Sequence, residues 1–248
     1  MAIGVLHRNN VHVEGTGRRT IVFGHGLGAD QRIWRRLAPR FSVDHRVVLY
    51  DYVGVGASDR SAYDPRRYER LDGYADDLIE ILAALDLHGA VFVGHSASAM
   101  IGILAAIRAP ERFSRLVMLA GSARYLDDPP YVGGIDAGAL SGLIELMDRN
   151  FLGWSRMFAE RASQDPVLRQ EIDETFQDTD RSMLRQFTEL TLRSDIRGDL
   201  GRMSTPCLVL SCVQDDFVPR QAASYLGEHL PQAMLVWLDC TGHCPQFS

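Results

Sequence analysis

The chain has 248 residues, 46% hydrophobic and 23% charged, with a formal net charge of −6 and a sequence pI near 5.7. This suits one large α/β domain with an insertion, or two small domains, and excludes a disordered chain. No basic tail or stripe and no run of about 18 apolar residues is present, so neither nucleic acid nor a membrane span is expected.

In chain order, Thr20–Phe23 is a short apolar run that ends in glycines, and Gln31–Pro39 can form a helix. Arg46–Tyr50 is a second strand-like run. Tyr68–Leu87 has helical spacing through Tyr74, Leu78, Ile81, Leu82 and Leu85. A third run, Ala90–Val93, leads into an apolar helix, Ala99–Ile107, that stops near Pro110; Arg115–Leu119 is a fourth run. Short continuous apolar runs separated by helices are the pattern of parallel strands buried on both faces. From Tyr125 to about Ser194 the periodicity is helical, with almost no strand signal. Alternation then returns with Cys207–Ser211, a helix from Pro219 to Leu230, and Leu235–Leu238. The expectation is an α/β core over 1–122 and 196–248, with a mostly parallel sheet, interrupted by a helical cap over 123–195 at the carboxyl ends of the strands.

Val91–Ala99 carries the main chemical signal. A buried strand runs into Gly94-His95-Ser96-Ala97-Ser98 and then into a helix, as the Gly-x-Ser-x-Gly nucleophile elbow requires, with Ser98 replacing the second glycine. The turn lifts a hydroxyl clear of the sheet and aims backbone N–H groups at developing negative charge. A serine needs a base. Downstream, Asp215 and Asp216 follow one strand and His243 follows the next, in the order serine, acid, histidine. Taken from the residues, the nucleophile is Ser96, the base His243, and the acid either aspartate. The glycine loop Gly24-His25-Gly26-Leu27-Gly28 follows the first buried run. Its backbone can approach a substrate closely, so the N–H groups of Leu27 and Ala97 are the expected oxyanion donors.

Two other readings compete. Gly24-x-Gly26-x-x-Ala29, with Asp51 ending the next strand, formally fits a dinucleotide fingerprint and would make the chain an NAD-dependent oxidoreductase; that reading explains neither the elbow nor the late aspartate and histidine. Cys207, Cys212, Cys240 and Cys244 could suggest zinc. Their Cys-x4-Cys and Cys-x3-Cys spacings lack the tight two-residue knuckle, and Cys207 and Cys212 face opposite sides of one strand, so free thiols are expected. No metal or organic cofactor is expected. Met1–Arg8 lacks the pattern of a signal peptide, which makes the cytoplasm the expected compartment. His45, His88 and His95 receive no role.

Longer words add a resemblance. Gly24–Gln31, Trp34, Asp51-Tyr52-Val53-Gly54, Leu71–Ala75, Val91–Ser96, Tyr125–Asp128, Gly133-Gly134, Gly153-Trp154, Ser194-Asp195 and Gly242-His243-Cys244-Pro245 resemble the RsbQ group of α/β-hydrolases, which includes the plant strigolactone and karrikin receptor hydrolases. The resemblance implies Asp215 as the acid and a serine esterase or lactonase acting on a small apolar ester or lactone. It implies a V-shaped helical cap over an apolar pocket lined by His25, Tyr125, Ile135, Trp154, Phe158 and Leu192. Leu27, Ile135 and Leu192 stand where aromatic residues are frequent in the group, which implies a wider or more aliphatic pocket. It also implies an alternative role as a slow-turnover stress-signalling sensor with a regulatory phosphatase as partner. The group normally adds a final helix beyond the position of Ser248, so the expectation is a sheet face that is bare or covered by a partner, or a truncated sequence.

Overall fold

The strands are β1 (His12–Glu14), β2 (Thr20–Gly24), β3 (Arg46–Leu49), β4 (Ala90–His95), β5 (Phe113–Leu119), β6 (Cys207–Gln214) and β7 (Ala233–Thr241), and from β2 onward they are built from runs of β-branched and other apolar residues. The computed structural model describes residues 4–247. Among these the strands form one seven-stranded sheet in the order β1-β3-β2-β4-β5-β6-β7. β1 runs antiparallel to β3, and the other neighbouring pairs are parallel.

The helices are α1 (Val5–Arg8), α2 (Ala38–Phe41), α3 (Leu71–Ala84), α4 (Ala97–Arg108), α5 (Ala137–Arg149), α6 (Phe151–Ala162), α7 (Pro166–Asp178), α8 (Arg181–Arg193) and α9 (Arg220–His229). Helices α3, α4 and α9 make the crossovers that parallel strands require. α4 is buried along almost its whole length, from Ala97 to Ala106, so its first turn is held rigidly behind the sheet's carboxyl edge.

Local differences from the sequence reading have local causes. Gln31–Pro39 is not one helix: a 3-10 turn over Gln31–Trp34 is followed by α2, with Pro39 in the latter's first turn. Proline lacks the N–H that would continue the earlier turn, while its fixed φ suits the start of a new one. α3 begins at Leu71, since Tyr68 N–H already donates to Asp64 in a separate turn. It ends before Asp86, whose φ is +52°. β1 carries no apolar signal because its three residues are all exposed.

The helical block α5–α8 leaves the core between β5 and β6. Its two ends lie side by side. Ile196 N–H donates to Ala123 O at 3.0 Å, and Arg124 pairs with Asp195 at 2.6 Å. Each helix has a side-chain cap, from Asp136, Asn150, Asp165 and Asp180 in turn, accepting first-turn N–H groups. Trp154 packs against Phe151, Phe158 and Phe176 as the block's aromatic centre. The block docks on the core through Phe187, which packs on Tyr52 and Tyr74, and through Phe176, which covers Gly28. A Cβ at Gly28 would meet the Phe176 ring at 2.3 Å, and its φ is +75°, so only glycine fits. Among the described residues no helix is long and apolar enough to cross a membrane.

Candidate active site

Ser96 sits between β4 and α4 with φ 56° and ψ −117°, a conformation that an L-residue adopts only under constraint. The constraint is packing on both sides. A Cβ at Gly94 would lie 2.6 Å from the Ser98 carbonyl oxygen and 2.8 Å from the Phe92 ring, so the strand and helix backbones meet only because position 94 is bare. Ser96 N–H donates to Leu119 O at 2.9 Å, tying the turn to β5. Ser98, where the motif has its second glycine, is fully buried. Its hydroxyl donates to His25 O and is bonded to the Tyr52 hydroxyl, so the extra atoms fasten the elbow to the loop after β2.

His243 follows β7, and Asp215 follows β6. His243 Nε2 lies 2.8 Å from Ser96 Oγ, and its Nδ1 lies 2.8 and 3.1 Å from the Asp215 carboxylate oxygens. The carboxylate can only accept, so Nδ1 carries the proton and Nε2 is free to accept from Ser96. Asp215 Oδ1 also accepts from the N–H groups of Phe217 and Val218 at 2.8 and 3.1 Å. Burial alone would raise this carboxyl's pKa. The facing imidazole and those N–H groups outweigh burial and hold it below its ordinary value. The neighbouring Asp216 is exposed and turned away; its carbonyl accepts from Arg161.

Both faces of the histidine loop are fixed. His243 N–H donates to Ala162 O of α6 at 3.0 Å, and His243 O accepts from His95 Nε2 at 2.8 Å. His95 had no assigned role from sequence; its only signal was its place in the elbow itself. Burial, and then the neighbouring His243, lower its pKa to about 3. Tyr125 places its hydroxyl 3.2 Å from Ser96 Oγ, and burial pushes its phenol well above the usual range, so it stays protonated and able to donate.

The loop after β2 presses on the elbow: a Cβ at Gly26 would lie 2.9 Å from Ser96 Cβ and 2.8 Å from His95 Nδ1. This close approach puts Leu27 and Ser96 on the wall of one chamber. Among the described residues neither Leu27 N–H nor Ala97 N–H donates to a protein acceptor.

Ser96 faces a small chamber of about 20 Å³, room for little more than a water. Tyr125, Phe158 and Leu192 of the expected pocket line it, together with Leu27, Ile172 and Phe217. Ile135 does not. It lines an outer cleft of about 410 Å³ along α5 and α6, which shares Phe158, Leu192 and Phe217 with the chamber. Contrary to the expectation, His25 and Trp154 line neither space. His25 is fully buried, bonded to Gly26 O and Tyr52 N–H, and serves the loop's conformation. Trp154 is spent on the packing of the helical block.

A dinucleotide site is not formed. Gly26 is filled by the elbow rather than open to a phosphate. The Asp51 carboxylate is used internally by Asn10, Gln31 N–H and Ala57 N–H. Among the described residues no group of three or more His, Cys, Asp or Glu side chains is arranged to hold a metal ion.

A family model described as the alpha/beta hydrolase family matches residues 21–248. The chain belongs to the α/β-hydrolase family. Within it, this hydrolase falls in the strigolactone and karrikin receptor group. It is 37% identical to a strigolactone esterase of Pisum sativum over 252 aligned residues, covering 100% of this chain and 94% of that protein. It is 36% identical to karrikin insensitive 2 receptor CA of Petunia hybrida, covering 98% of this chain and 92% of that one. Among solved structures, a hydrolase from Oleispira antarctica superposes with a TM-score of 0.96 at 35% identity, covering 98% of this chain and 90% of that chain.

Proposed function

We propose that this hydrolase cleaves a small, mostly apolar ester or lactone through an acyl-enzyme on Ser96. The reading rests on one observation, the 2.8 Å contact between Ser96 Oγ and a His243 ring whose other nitrogen is held by Asp215. In this scheme His243 Nε2 takes the hydroxyl proton as Ser96 attacks the carbonyl carbon, and Asp215 stabilises the imidazolium without taking its proton. The N–H groups of Leu27 and Ala97 receive the tetrahedral oxyanion. His243 then gives the proton to the leaving alkoxide oxygen, and water attacks the acyl-enzyme by the same steps in reverse. The aliphatic and aromatic lining supports an apolar acyl group, and the names of the esterase relatives support the ester or lactone class. Residues 123–195 act as the cap that excludes water from the chamber. Ser96→Ala should abolish hydrolysis of p-nitrophenyl acetate and labelling by a fluorophosphonate, which should map to Ser96 in the native chain. Undiminished turnover, or labelling elsewhere, would refute the assignment.

A second reading is favoured by the receptor names among the relatives. The same triad would turn over slowly while the cap reports ligand binding to a protein partner, such as a regulatory phosphatase in a stress response. Ligand-dependent capture of such a phosphatase would support it. Fast turnover of a metabolite that leaves the cap surface without a partner would oppose it.

A further inference from the structure

We propose that Cys212 and Cys240 form a reversible disulfide site that joins β6 to β7 directly beneath the loops bearing Asp215 and His243. The two Sγ atoms lie 3.0 Å apart, closer than the ordinary contact of two non-bonded sulfurs. They meet because the strand register slips: Cys212 pairs with Leu238, yet Gln214 pairs with Thr241 rather than Cys240. The extra residue on β7 turns its strand end and carries Cys240 back over Cys212. Both strands are then stapled just beyond the thiols, where Gly242 N–H donates to Gln214 O at 2.8 Å. The pair is therefore held between two fixed points with its sulfurs already in contact. This inference is independent of the proposed ester chemistry.

The two thiols have different roles. Cys240 is part-exposed on an edge strand, where no residue of β7 is fully buried, so an oxidant reaches it first. Cys212 is buried, so an oxidant from solvent does not reach it first, and it meets only a sulfur already oxidised beside it. With hydrogen peroxide as oxidant, the Cys240 sulfur attacks one peroxide oxygen, the O–O bond breaks, and a sulfenic acid and water form. Cys212 sulfur then attacks the sulfenyl sulfur. The S–O bond breaks, the departing hydroxyl takes the Cys212 proton, and a second water leaves. Two thiols and one peroxide become one disulfide and two waters; each sulfur loses one electron and the peroxide gains two.

The test treats fully reduced, folded full-length protein with hydrogen peroxide, blocks remaining thiols with N-ethylmaleimide after unfolding, and maps peptides without reduction. The expected result is a mass loss of about 2 Da before blocking and one cross-linked peptide pair joining Cys212 to Cys240, both reversed by dithiothreitol. Cys207 and Cys244 should remain available for blocking once the chain is unfolded. Cys240→Ser, a change on a part-exposed strand, should abolish the cross-link, and Cys207→Ser should leave it intact. Unchanged thiols, a sulfinic acid at Cys240 without a cross-link, or pairing of Cys212 with Cys244 would each overturn the proposal.

Discussion

A single imidazole, His95, shows how a residue on the chamber wall also holds the backbone of the site in place. Its Nε2–H has the His243 carbonyl as acceptor, which puts a proton on that nitrogen, and burial beside His243 keeps the ring neutral. The folded pKa lies at about 3, against an ordinary value of 6.5. The sign follows directly. Below about pH 6.5 the unfolded chain binds a proton that the native ring refuses, so stability falls as pH drops toward the folded value. His25, also lowered by burial, adds to the same slope. Urea unfolding at pH 7 and pH 5 should therefore show a loss on acidification. His95→Gln keeps a donor for His243 O but cannot titrate, so it should show a smaller loss. An equal loss in both proteins would mean that His95 is protonated in the native state.

At the scale of elements, the site is a meeting of three strand ends and one loop. β4 presents Ser96, β6 presents Asp215 and β7 presents His243. The loop after β2 must come close enough to set Leu27 N–H beside the serine. Gly26 makes that approach possible, since a Cβ would collide with Ser96 Cβ and the His95 ring, both of which are locked by the elbow. Gly26→Ala should push the loop outward by some tenths of an ångström while leaving the core packing intact. Losing one oxyanion donor typically lowers kcat by about 100- to 1000-fold. The expected outcome on p-nitrophenyl acetate is a fall in kcat of that order with KM changed much less. A fall confined to KM would show that the loop binds ground-state substrate rather than the developing charge. Ser98 works at the same junction, and its hydroxyl bonds to His25 and Tyr52 explain why serine is accommodated where the general motif has glycine.

The whole molecule adds a boundary. Phe158 and Leu192 from the helical block, with Phe217 from the core, separate the chamber of about 20 Å³ from the outer cleft of about 410 Å³. A substrate larger than a few atoms must displace them. Leu192 is nearly fully buried, so Leu192→Ala should cost about 2–5 kcal/mol of stability. It should also merge the two spaces. We expect the ratio of kcat/KM for p-nitrophenyl butyrate over acetate to rise about tenfold, or 1.4 kcal/mol of relative barrier. An unchanged ratio would place the acyl group elsewhere.

The fold class and the ordered appearance of serine, aspartate and histidine were legible along the chain because each depends on local rules. Buried parallel strands need continuous apolar runs, and a strained elbow needs small neighbours such as Gly94 and Ser98. Glycines such as Gly26 and Gly28 mark places where another backbone or ring comes close. What no local rule could decide was anything that depends on which distant segments meet. That Asp215 rather than Asp216 faces His243 follows from two backbone N–H groups and one ring reached only after β6 and β7 pair. The resemblance implied His25 and Trp154 as pocket residues, yet packing against Tyr52 and Phe176 turned them inward. The slip in register that brings Cys240 over Cys212 belongs to two strands at once. Contacts between segments far apart in sequence are set by the sum of packing over the whole core, and that sum is reached only when the chain is folded.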